Sequence, residues 1–578
     1  MYKTIPFILI PALAACGLAL RPGESEWFFE NSRSIIWLPI FLLLFSGLKQ
    51  IIKNKNKRLF LISSIPALIL SGFNLFGTVI TEKNTALWIV KNINTISFSI
   101  LYFLAVFLTA HIIIYKLFES FLCIVNKETT RQRKPHFLVF WIILIVCWLP
   151  WMLNQFPAVM TADTTDQIEM ALGLEPLTDH HPVFYTLLIK AVFNISHHID
   201  SNGNISFQSG AALFSITQFL LMSGLFAAVL TFINRTNAPR GIKTAVLLFF
   251  VLYPIHALYS VTMWKDVPFA VCLLILISFL FAELQEHNGK NCIGIAISGL
   301  LMSLLRHNGI YLIALSIPFI PAVFNTKRKS VFSAFLIVLL LYFGWQQVLL
   351  PALKIPGGEP AEAFSIPLQQ IALTAKRQHT RMNEETLKEL NAYFRKGEIW
   401  ELYNYRISDP VKNEFNNDLY KQNPINFWKF WTALGKSYPQ DYLDAALLHT
   451  YGYWYPSTPH WVFITGIDDN GLFGIHMDPK LDTPQINSTV QWFSDSKYDE
   501  IPLLSLIFSP GACLWLYVIG FFYCLYRKSP VYFLYIPLFT LWLTALASPV
   551  NCEYRYVYGM FLCSPIVAAA MFNQNNSN

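Results

Sequence analysis

The sequence predicts a polytopic, all-α membrane protein. Apolar runs follow one another from the N-terminus to the C-terminus of the 578-residue chain. Hydrophobic residues make up 54% of it and charged residues only 13%, about half the charged share of a typical soluble domain. Because a soluble fold cannot bury that much apolar surface, lipid must be the main solvent of this chain.

A membrane-spanning helix takes roughly 20 mainly apolar residues. By this criterion the sequence contains about fourteen candidate spans. They lie at 5–20, 34–52, 59–80, 95–120, 136–155, 209–233, 243–260, 265–283, 291–305, 309–324, 331–350, 501–525, 530–548 and 556–573. The first run contains Leu13-Ala14-Ala15-Cys16, which is also typical of a lipoprotein processing box. We interpret it as a membrane helix, since small residues are frequent in such helices, and leave open whether Cys16 is lipidated.

Short basic loops set the predicted orientation. They are Lys49 to Arg58, Lys116 to Lys134, Arg235 to Lys243, Lys327 to Lys329 and Arg527-Lys528. With both termini inside, all five face the cytoplasm, as the positive-inside rule expects. The segments 21–33, 156–208 and 351–500 then face outside. We therefore expect a multi-pass protein of a bacterial cytoplasmic (inner) membrane.

Four parts follow from this pattern. They are N-terminal transmembrane helices at 1–134, a transmembrane core at 135–350 with its first outer loop at 156–208, an extracytoplasmic domain at 351–500, and C-terminal transmembrane helices at 501–578. The segment from His181 to Ser196 is short for a span and carries Lys190 in its middle. We expect it to form an amphipathic helix in the outer interface.

The hydrophilic region at 351–500 is predicted to be mostly helical, with periodic stretches at 382–398 and 425–438. It carries 14 Lys and Arg against 19 Asp and Glu, whereas the rest of the chain carries 28 against 16. The basic excess therefore belongs to the short loops, and it does not indicate nucleic acid binding. The aromatic run at 450–463 fits sugar stacking, a buried core or a membrane-interface belt.

Polar clusters stand next to the ends of several apolar runs, and all of them fall on the predicted outer side. They are Asp163 to Asp166, Asp179-His180-His181-Pro182, Trp264-Lys265-Asp266, Arg306-His307-Asn308-Gly309 and Asn551 to Tyr556. Polar groups near lipid cost free energy and are usually functional. Their convergence on one face predicts a single site.

Two carboxylates open the first outer loop. Asp163 could cap a helix that starts at Thr164, with Asp166 favoured in the first turn by the helix dipole. An acidic residue at the bilayer surface is also what a general base for sugar transfer requires. Both interpretations stay open on the residues alone.

The next cluster also has two interpretations. Asp179 could lie near a helix cap, with Pro182 in the first turn. Alternatively, His180 or His181 together with Asp163 or Asp166 could hold a divalent cation. Whether a metal binds is left unknown.

Three cationic side chains, Lys265, Arg306 and Arg555, lie at predicted helix ends. Each could snorkel to the interface, but a lipid-linked phosphate donor also needs such cations for its leaving group. Lys265 could instead neutralise Asp266, and Arg555 could neutralise Glu553. No phosphate loop, dinucleotide fingerprint or exposed nucleophile motif accompanies them.

Five motifs in this order, PAVMTADTTDQ, DHHPVFYTLLI, VTMWKDVPFA, LLRHNGIY and NCEYRYVYG, resemble those of bacterial multipass proteins related to the GT-C glycosyltransferases. The resemblance covers about residues 136 to 573. It implies a GT-C-like helix bundle, a polyprenyl-phosphate-linked sugar as donor and an inverting displacement. The paired-Asp signature of the class is missing, which leaves the identity of the base open.

On this basis we expect transfer of a sugar to a cell-envelope glycan, lipid or protein acceptor on the outer face. Asp163 and Asp166 are the candidate catalytic residues, with Asp163 as base and Asp166 or His180 orienting the acceptor or holding a cation. The candidate substrate-binding residues are Asp179, His180, His181, Lys265, Asp266, Arg306, His307, Asn308, Glu553 and Arg555. The alternatives are a polysaccharide polymerase or ligase, a lipid or glycan transporter, and a scaffold without catalysis.

Overall fold

The computed structural model describes residues 34–54, 56–125, 136–196, 198–199, 205–324, 328–395, 398–468 and 471–573. The predicted run at 5–20 and the question of Cys16 lie outside these residues. Helices dominate the described chain. Besides turns and irregular segments it contains only isolated bridges and one antiparallel pair of two-residue strands, β1 (His198–Ile199) and β2 (Ile205–Ser206). The predicted all-α class is confirmed at this level.

Among the residues that the structure describes, six helical segments are long and apolar enough to cross a membrane. They are Lys57–Lys83, Ile93–Val125, Phe137–Asn154, Gln208–Arg235, Asp266–Gln285 and Lys329–Ala352. A chain with six such helices is a helical membrane protein. The prediction of about fourteen spans is not confirmed, because most of the remaining apolar runs form shorter or interrupted helices.

The first half of the described chain contains these helices, in order. They are α1 (Ser34–Asn54), α2 (Lys57–Lys83), α3 (Ile93–Val125), α4 (Phe137–Asn154), α5 (Ala162–Leu172), α6 (Val183–Ile195), α7 (Gln208–Arg235), α8 (Arg240–Leu252), α9 (Pro254–Tyr259), α10 (Asp266–Gln285), α11 (Gly289–Leu305), α12 (Gly309–Ala314), α13 (Ile320–Phe324) and α14 (Arg328–Gly344). A π-helical turn, Trp345–Leu349, leads from α14 into α15 (Leu350–Ala352).

The second half continues with these helices. They are α16 (Ser365–Gln378), α17 (Glu384–Tyr393), α18 (Asp409–Lys412), α19 (Asn417–Gln422), α20 (Pro424–Ser437), α21 (Pro439–Thr450), α22 (Pro484–Ser494), α23 (Pro502–Phe508), α24 (Pro510–Tyr526), α25 (Tyr535–Leu546) and α26 (Tyr554–Met571). Short 3-10 turns occur at Ala86–Val90, Ile317–Phe319, Pro360–Ala363, His379–Arg381, Ile399–Glu401, Tyr451–Tyr453, Lys497–Glu500 and Pro530–Leu534.

Proline marks the breaks inside several predicted runs. The run at 243–260 is divided into α8 and α9 at Pro254, and the run at 501–525 is divided into α23 and α24 at Pro510. Proline has no amide hydrogen and its ring clashes with the preceding turn, which favours a break at these two positions. Pro66, Pro150 and Pro565, by contrast, are accommodated inside α2, α4 and α26. Hydropathy alone does not distinguish these two cases.

One end of the helix bundle collects the loops that the sequence places outside. The amide of Ala86, between α2 and α3, donates to Asp444 Oδ1 at 2.8 Å. The amide of Asp478 donates to the carbonyl of Phe156 at 2.9 Å, and Asp179 pairs with Gly357 in a parallel bridge. The first outer loop and the 351–500 region therefore meet at one end, which we call the polar end.

The opposite end collects loops predicted to face the cytoplasm. The amide of Asn237 donates to Asn573 Oδ1 at 2.8 Å. Asn56 lies within 3.4 Å of the Tyr526 hydroxyl, although their positions differ by 470 residues. The two sets of loops therefore occupy different ends, as expected from the basic residues.

The region at 351–500 falls into two parts. Side chains between Ala361 and Tyr442 form a hydrophobic core of their own. From Ala445 to Phe508 the buried side chains join the main core of the bundle, and they include Tyr453, Trp454 and Phe463 from the aromatic run. Of the three interpretations of that run, a buried core is therefore the one that agrees with the structure.

The placement of loops at two ends predicts opposite labelling of two exposed positions. A variant with the exposed Cys123 and Cys147 changed to Ser would carry either Glu175→Cys at the polar end or Gly241→Cys at the other. We expect a membrane-impermeant thiol reagent to modify residue 175 in intact cells and residue 241 only after permeabilisation. Gly241 has open space around it, so the new side chain causes no clash. Labelling of both from one side would contradict this arrangement.

Candidate functional site

The backbone before α5 is fixed by two other parts of the chain. Val159 exchanges hydrogen bonds with Val261 and Met263, each at 3.0 Å, and the amide of Met160 donates to the carbonyl of Gly466 at 3.1 Å. Met263 is followed by the Trp264-Lys265-Asp266 motif. The start of α5 is thus held against that motif by main-chain bonds, which depend on no particular side chain.

Asp163 lies in the first turn of α5 and not at its cap, because the helix begins at Ala162 after Thr161. The interpretation of Asp163 as a cap is therefore wrong. Its Oδ2 accepts a hydrogen bond from Arg555 Nη1 at 3.0 Å and lies 3.6 Å from Lys265 Nζ. The Asp163 side chain is still 36% exposed, whereas those of Lys265 and Arg555 are 15% and 13% exposed.

The two cations determine the protonation state of Asp163. Partial burial acts to raise the pKa of the carboxyl, but the positive charges of Lys265 and Arg555 outweigh it and hold the pKa well below its usual range. The carboxylate is ionised at neutral pH. Lys265 and Arg555 thus place two positive charges beside the single negative charge of Asp163.

Asp266 does not pair with the neighbouring Lys265, as the sequence suggested it could. It forms an ion pair with Arg306, and the Asp266 side chain is only 1% exposed. The Arg306 guanidinium also lies over the rings of Phe269 and Tyr556, 5.5 and 4.8 Å from their centroids. Arg306 is therefore engaged on several sides.

Arg555 Nε lies 3.3 Å from Glu553 Oε1, so the two side chains are neighbours as expected. Arg555 also lies 5.2 Å from the ring centroids of Trp264 and Tyr556. Burial raises the pKa of the Glu553 carboxyl to about 8, against the opposing charge of Arg555. Glu553 is thus mainly protonated at pH 7. Asp163 is therefore the ionised carboxylate that pairs with Arg555.

The two adjacent histidines have different partners, although their ring centroids lie 4.6 Å apart. His181 Nδ1 lies 2.7 Å from Lys265 Nζ, and its Nε2 lies 3.8 Å from Asp166 Oδ2. His180 lies 3.9 Å from Glu362 in the 351–500 region. Burial and the charge of Lys265 lower the pKa of His181, so it is neutral and accepts a hydrogen bond from the lysine. His181, rather than His180, bridges Lys265 and Asp166.

Asp179 belongs to a second polar group beside the first. Its Oδ1 accepts from the amide of Val183 at 3.2 Å, which agrees with the expected role at a helix start. Its Oδ2 accepts from Gln346 at 3.0 Å, and His307 Nε2 lies 3.1 Å from its carbonyl. Asn308 points elsewhere, donating to Thr544 at 3.0 Å.

Gln346 is absent from the sequence-based candidates. It sits in the π-helical turn Trp345–Leu349, at the end of an apolar run. Turns of that kind are frequent at functional sites, but sequence gives no warning of them. The sequence does show that the polar pair Gln346-Gln347 directly follows a long apolar run, and this could have marked Gln346 as a candidate.

The structure thus brings together eight of the predicted residues, which we call the charge cluster. It consists of Asp163, Asp166, His181, Lys265, Asp266, Arg306, Glu553 and Arg555. Six of them are joined by ion pairs and close contacts, and the Asp266–Arg306 pair adjoins them through the Tyr556 ring, which contacts both Arg306 and Arg555. Buried atoms without a hydrogen-bond partner remain within the charge cluster, among them Asp266 Oδ2 and His181 Nε2. Chemically, the charge cluster offers cations for an anionic ligand beside an ionised carboxylate.

Metal-ligand spacing does not occur within the charge cluster. Among the described residues, Glu283, His287 and Cys292 are the group with that spacing, and they belong to a different part of the bundle. The possible role of a divalent cation in the charge cluster stays a prediction.

The fold and the charge cluster define a helical membrane protein with a buried network of ion pairs at one end of its bundle. The chain belongs to the family of unknown function DUF6020, which matches residues 174–578. Four of the five sequence motifs lie inside this range, whereas Asp163 and Asp166 precede it. No curated protein and no solved structure matches the chain.

Removing Arg306 should destabilise the fold strongly. Arg306→Ala leaves the buried Asp266 without its cation, and breaking such a pair costs about 3–5 kcal/mol. The double variant Asp266→Asn/Arg306→Ala should recover part of this loss, as measured by denaturant unfolding in detergent. Arg381→Ala, at an exposed arginine, should change stability by less than about 0.5 kcal/mol. Equal effects of the Arg306 and Arg381 variants would contradict the ion pair.

The raised pKa of Glu553 predicts a pH dependence of stability. The folded state binds the Glu553 proton more tightly than the unfolded state, so this contribution is present at low pH and is lost as pH rises from about 4.5 to about 8. We expect the melting temperature of Glu553→Gln to fall less over this range than that of the wild type. Glu500→Gln, at an exposed glutamate, serves as the control, and its melting temperature should depend on pH as that of the wild type does. Parallel profiles for the wild type and Glu553→Gln would show that Glu553 is ionised in the folded protein.

Proposed function

We propose that this protein transfers a sugar from a polyprenyl-phosphate-linked donor to a cell-envelope glycan, lipid or protein acceptor on the outer face of the cytoplasmic membrane. The bundle is then of GT-C type, with the polar end outside. The observation that carries the proposal is the position of Asp163 between Lys265 and Arg555 while its carboxylate is still partly exposed. A base, two cations and access for a substrate are what such a transfer requires.

An apolar groove beside the charge cluster supports a lipid-linked donor. It has a volume of about 340 Å³ between α6, α7 and α10, and Leu188, Leu221 and Val271 are among its lining residues. Val267, which directly follows Asp266, lines it as well. Leu188 and Leu221 are exposed, so the groove opens to the surroundings of the bundle. A hydrocarbon chain in the groove would bring its phosphate to the cations.

Donor binding would also change the base. Without a donor, Lys265 and Arg555 keep Asp163 ionised and make it a weak proton acceptor. A donor phosphate would pair with the same two cations and neutralise their positive charge. Asp163 would then be stabilised less in its ionised form, so its pKa would rise. The carboxylate then becomes a stronger base at the moment when the donor is in place.

The transfer itself is a single displacement. The acceptor hydroxyl oxygen forms a bond to the anomeric carbon, its proton passes to Asp163, and the bond between that carbon and the phosphate oxygen breaks. Lys265 and Arg555 bind the departing phosphate, while Asp166 and His181 orient the acceptor. Arg306 acts by holding Asp266 and the ring of Tyr556 in place. A glycan polymerase or ligase using the same groups would move a whole chain, which product analysis distinguishes.

Substitutions in the charge cluster should abolish transfer. We expect Asp163→Asn to lower the rate at least about 100-fold, in line with the loss of a general base, and Lys265→Gln and Arg555→Gln to do likewise. The assay follows radiolabelled sugar from a panel of polyprenyl-phosphate sugars in membranes that contain each variant. Asp418→Asn and Lys388→Gln, at exposed positions, are the matched controls and should keep wild-type rates.

Folding and donor choice are checked in the same membranes. Each variant is compared at equal protein amount and with its melting temperature in detergent. Wild-type rates for the three charge-cluster variants would remove the enzymatic assignment. Transfer from nucleotide sugars alone would remove the lipid-linked donor.

A further inference from the structure

At the end of the bundle opposite to the charge cluster, α10 and α11 form an antiparallel hairpin. Glu283 lies in the last turn of α10, His287 lies in the connecting turn, and Cys292 lies in the first turn of α11. The Glu283 side chain is fully buried, which is unusual for a carboxylate. A buried carboxylate in that position needs partners of opposite charge or strong hydrogen-bond donors.

We propose that Glu283, His287 and Cys292 bind a transition metal ion of the zinc class. One donor atom from each residue lies within 4.8 Å of the other two. Oxygen, nitrogen and sulfur ligands with about this separation suit a tetrahedral ion with bonds of about 2.0–2.3 Å. Calcium and magnesium are disfavoured, since they prefer an all-oxygen shell.

The surroundings fix the carboxylate for this role. Glu283 Oε2 accepts hydrogen bonds from the amide of Asn288 at 3.2 Å and from the Asn291 side chain at 3.3 Å. Glu283 Oε1 lies 2.5 Å from His287 Nδ1. The donors from Asn288 and Asn291 hold Oε2 and so orient the carboxylate, as outer-shell partners of ligating carboxylates do. Oε1 faces the His287 ring, and both would turn to a bound ion. His287 is 40% exposed, which leaves a side for metal entry and a fourth ligand from water.

The position of this site indicates a structural role. The same two helices carry Lys265 and Asp266 at the start of α10 and Arg306 directly after α11, so the open end of the hairpin belongs to the charge cluster. A helix of the length of α10 spans about 30 Å, which keeps the metal away from the transfer site. The ion would fix the turn that sets the register of the two helices. This role is independent of the transfer reaction.

Metal binding is tested on the full chain, purified in detergent without a polyhistidine tag and stripped with a chelator. We expect one equivalent of Zn²⁺ per chain, a higher melting temperature with the metal, and, with Co²⁺, tetrahedral absorption bands with thiolate-to-metal charge transfer. Cys292→Ser and His287→Gln should bind at least about tenfold more weakly. Cys272→Ser, at another cysteine of α10, is the matched control and should bind like the wild type.

Two results would overturn the site. One is a wild-type Co²⁺ spectrum without thiolate charge transfer, a measurement that does not depend on the folding of any variant. The other is equal metal binding by the wild type and the Cys292 and His287 variants, which would place the ion elsewhere. Either result would leave Glu283 as a hydrogen-bonded residue of the turn.

Discussion

The ion pairs at the polar end connect segments that are far apart in the chain. Asp163 pairs with Lys265 and with Arg555, which lies 392 residues away, while Asp266 pairs with Arg306. Each charge is buried or partly buried, and a buried charge is tolerated only when a partner and hydrogen bonds compensate for the loss of water. The start of α5, the α10–α11 hairpin and the start of α26 must therefore come together for any of these side chains to be accommodated. The arrangement of the polar end depends on this constraint.

Main-chain contacts from the 351–500 region complete the same end. Met160, Asp179 and Glu553 form bridges with Ile467, Gly357 and Trp461, respectively. Every motif segment except the turn at Arg306 and its neighbours thus has a backbone neighbour from elsewhere in the chain. The 351–500 region therefore borders the charge cluster. Part of it also forms a folded unit with its own hydrophobic core.

Much of the fold could be predicted because it depends on local properties. The apolar runs at 59–80, 95–120 and 209–233 correspond to α2, α3 and α7, and the short segment after Pro182 is the helix α6. The sequence was misleading where proline interrupts an apolar run, as at Pro254. It also gave no sign of the π-helical turn that carries Gln346, because such a turn depends on how α14 packs and not on its composition.

The sequence by itself determined that the chain belongs in lipid, which loops share an end, and that its chemistry-bearing residues cluster at helix ends. Hydropathy and charge are properties of short segments, so these features need no knowledge of the fold. Only the tertiary structure decided which charges pair. Consecutive residues such as Lys265 and Asp266 project in different directions from the backbone, so the sequence does not show which charges are partners in space. Their true partners come from other segments, and packing of the whole bundle selects them.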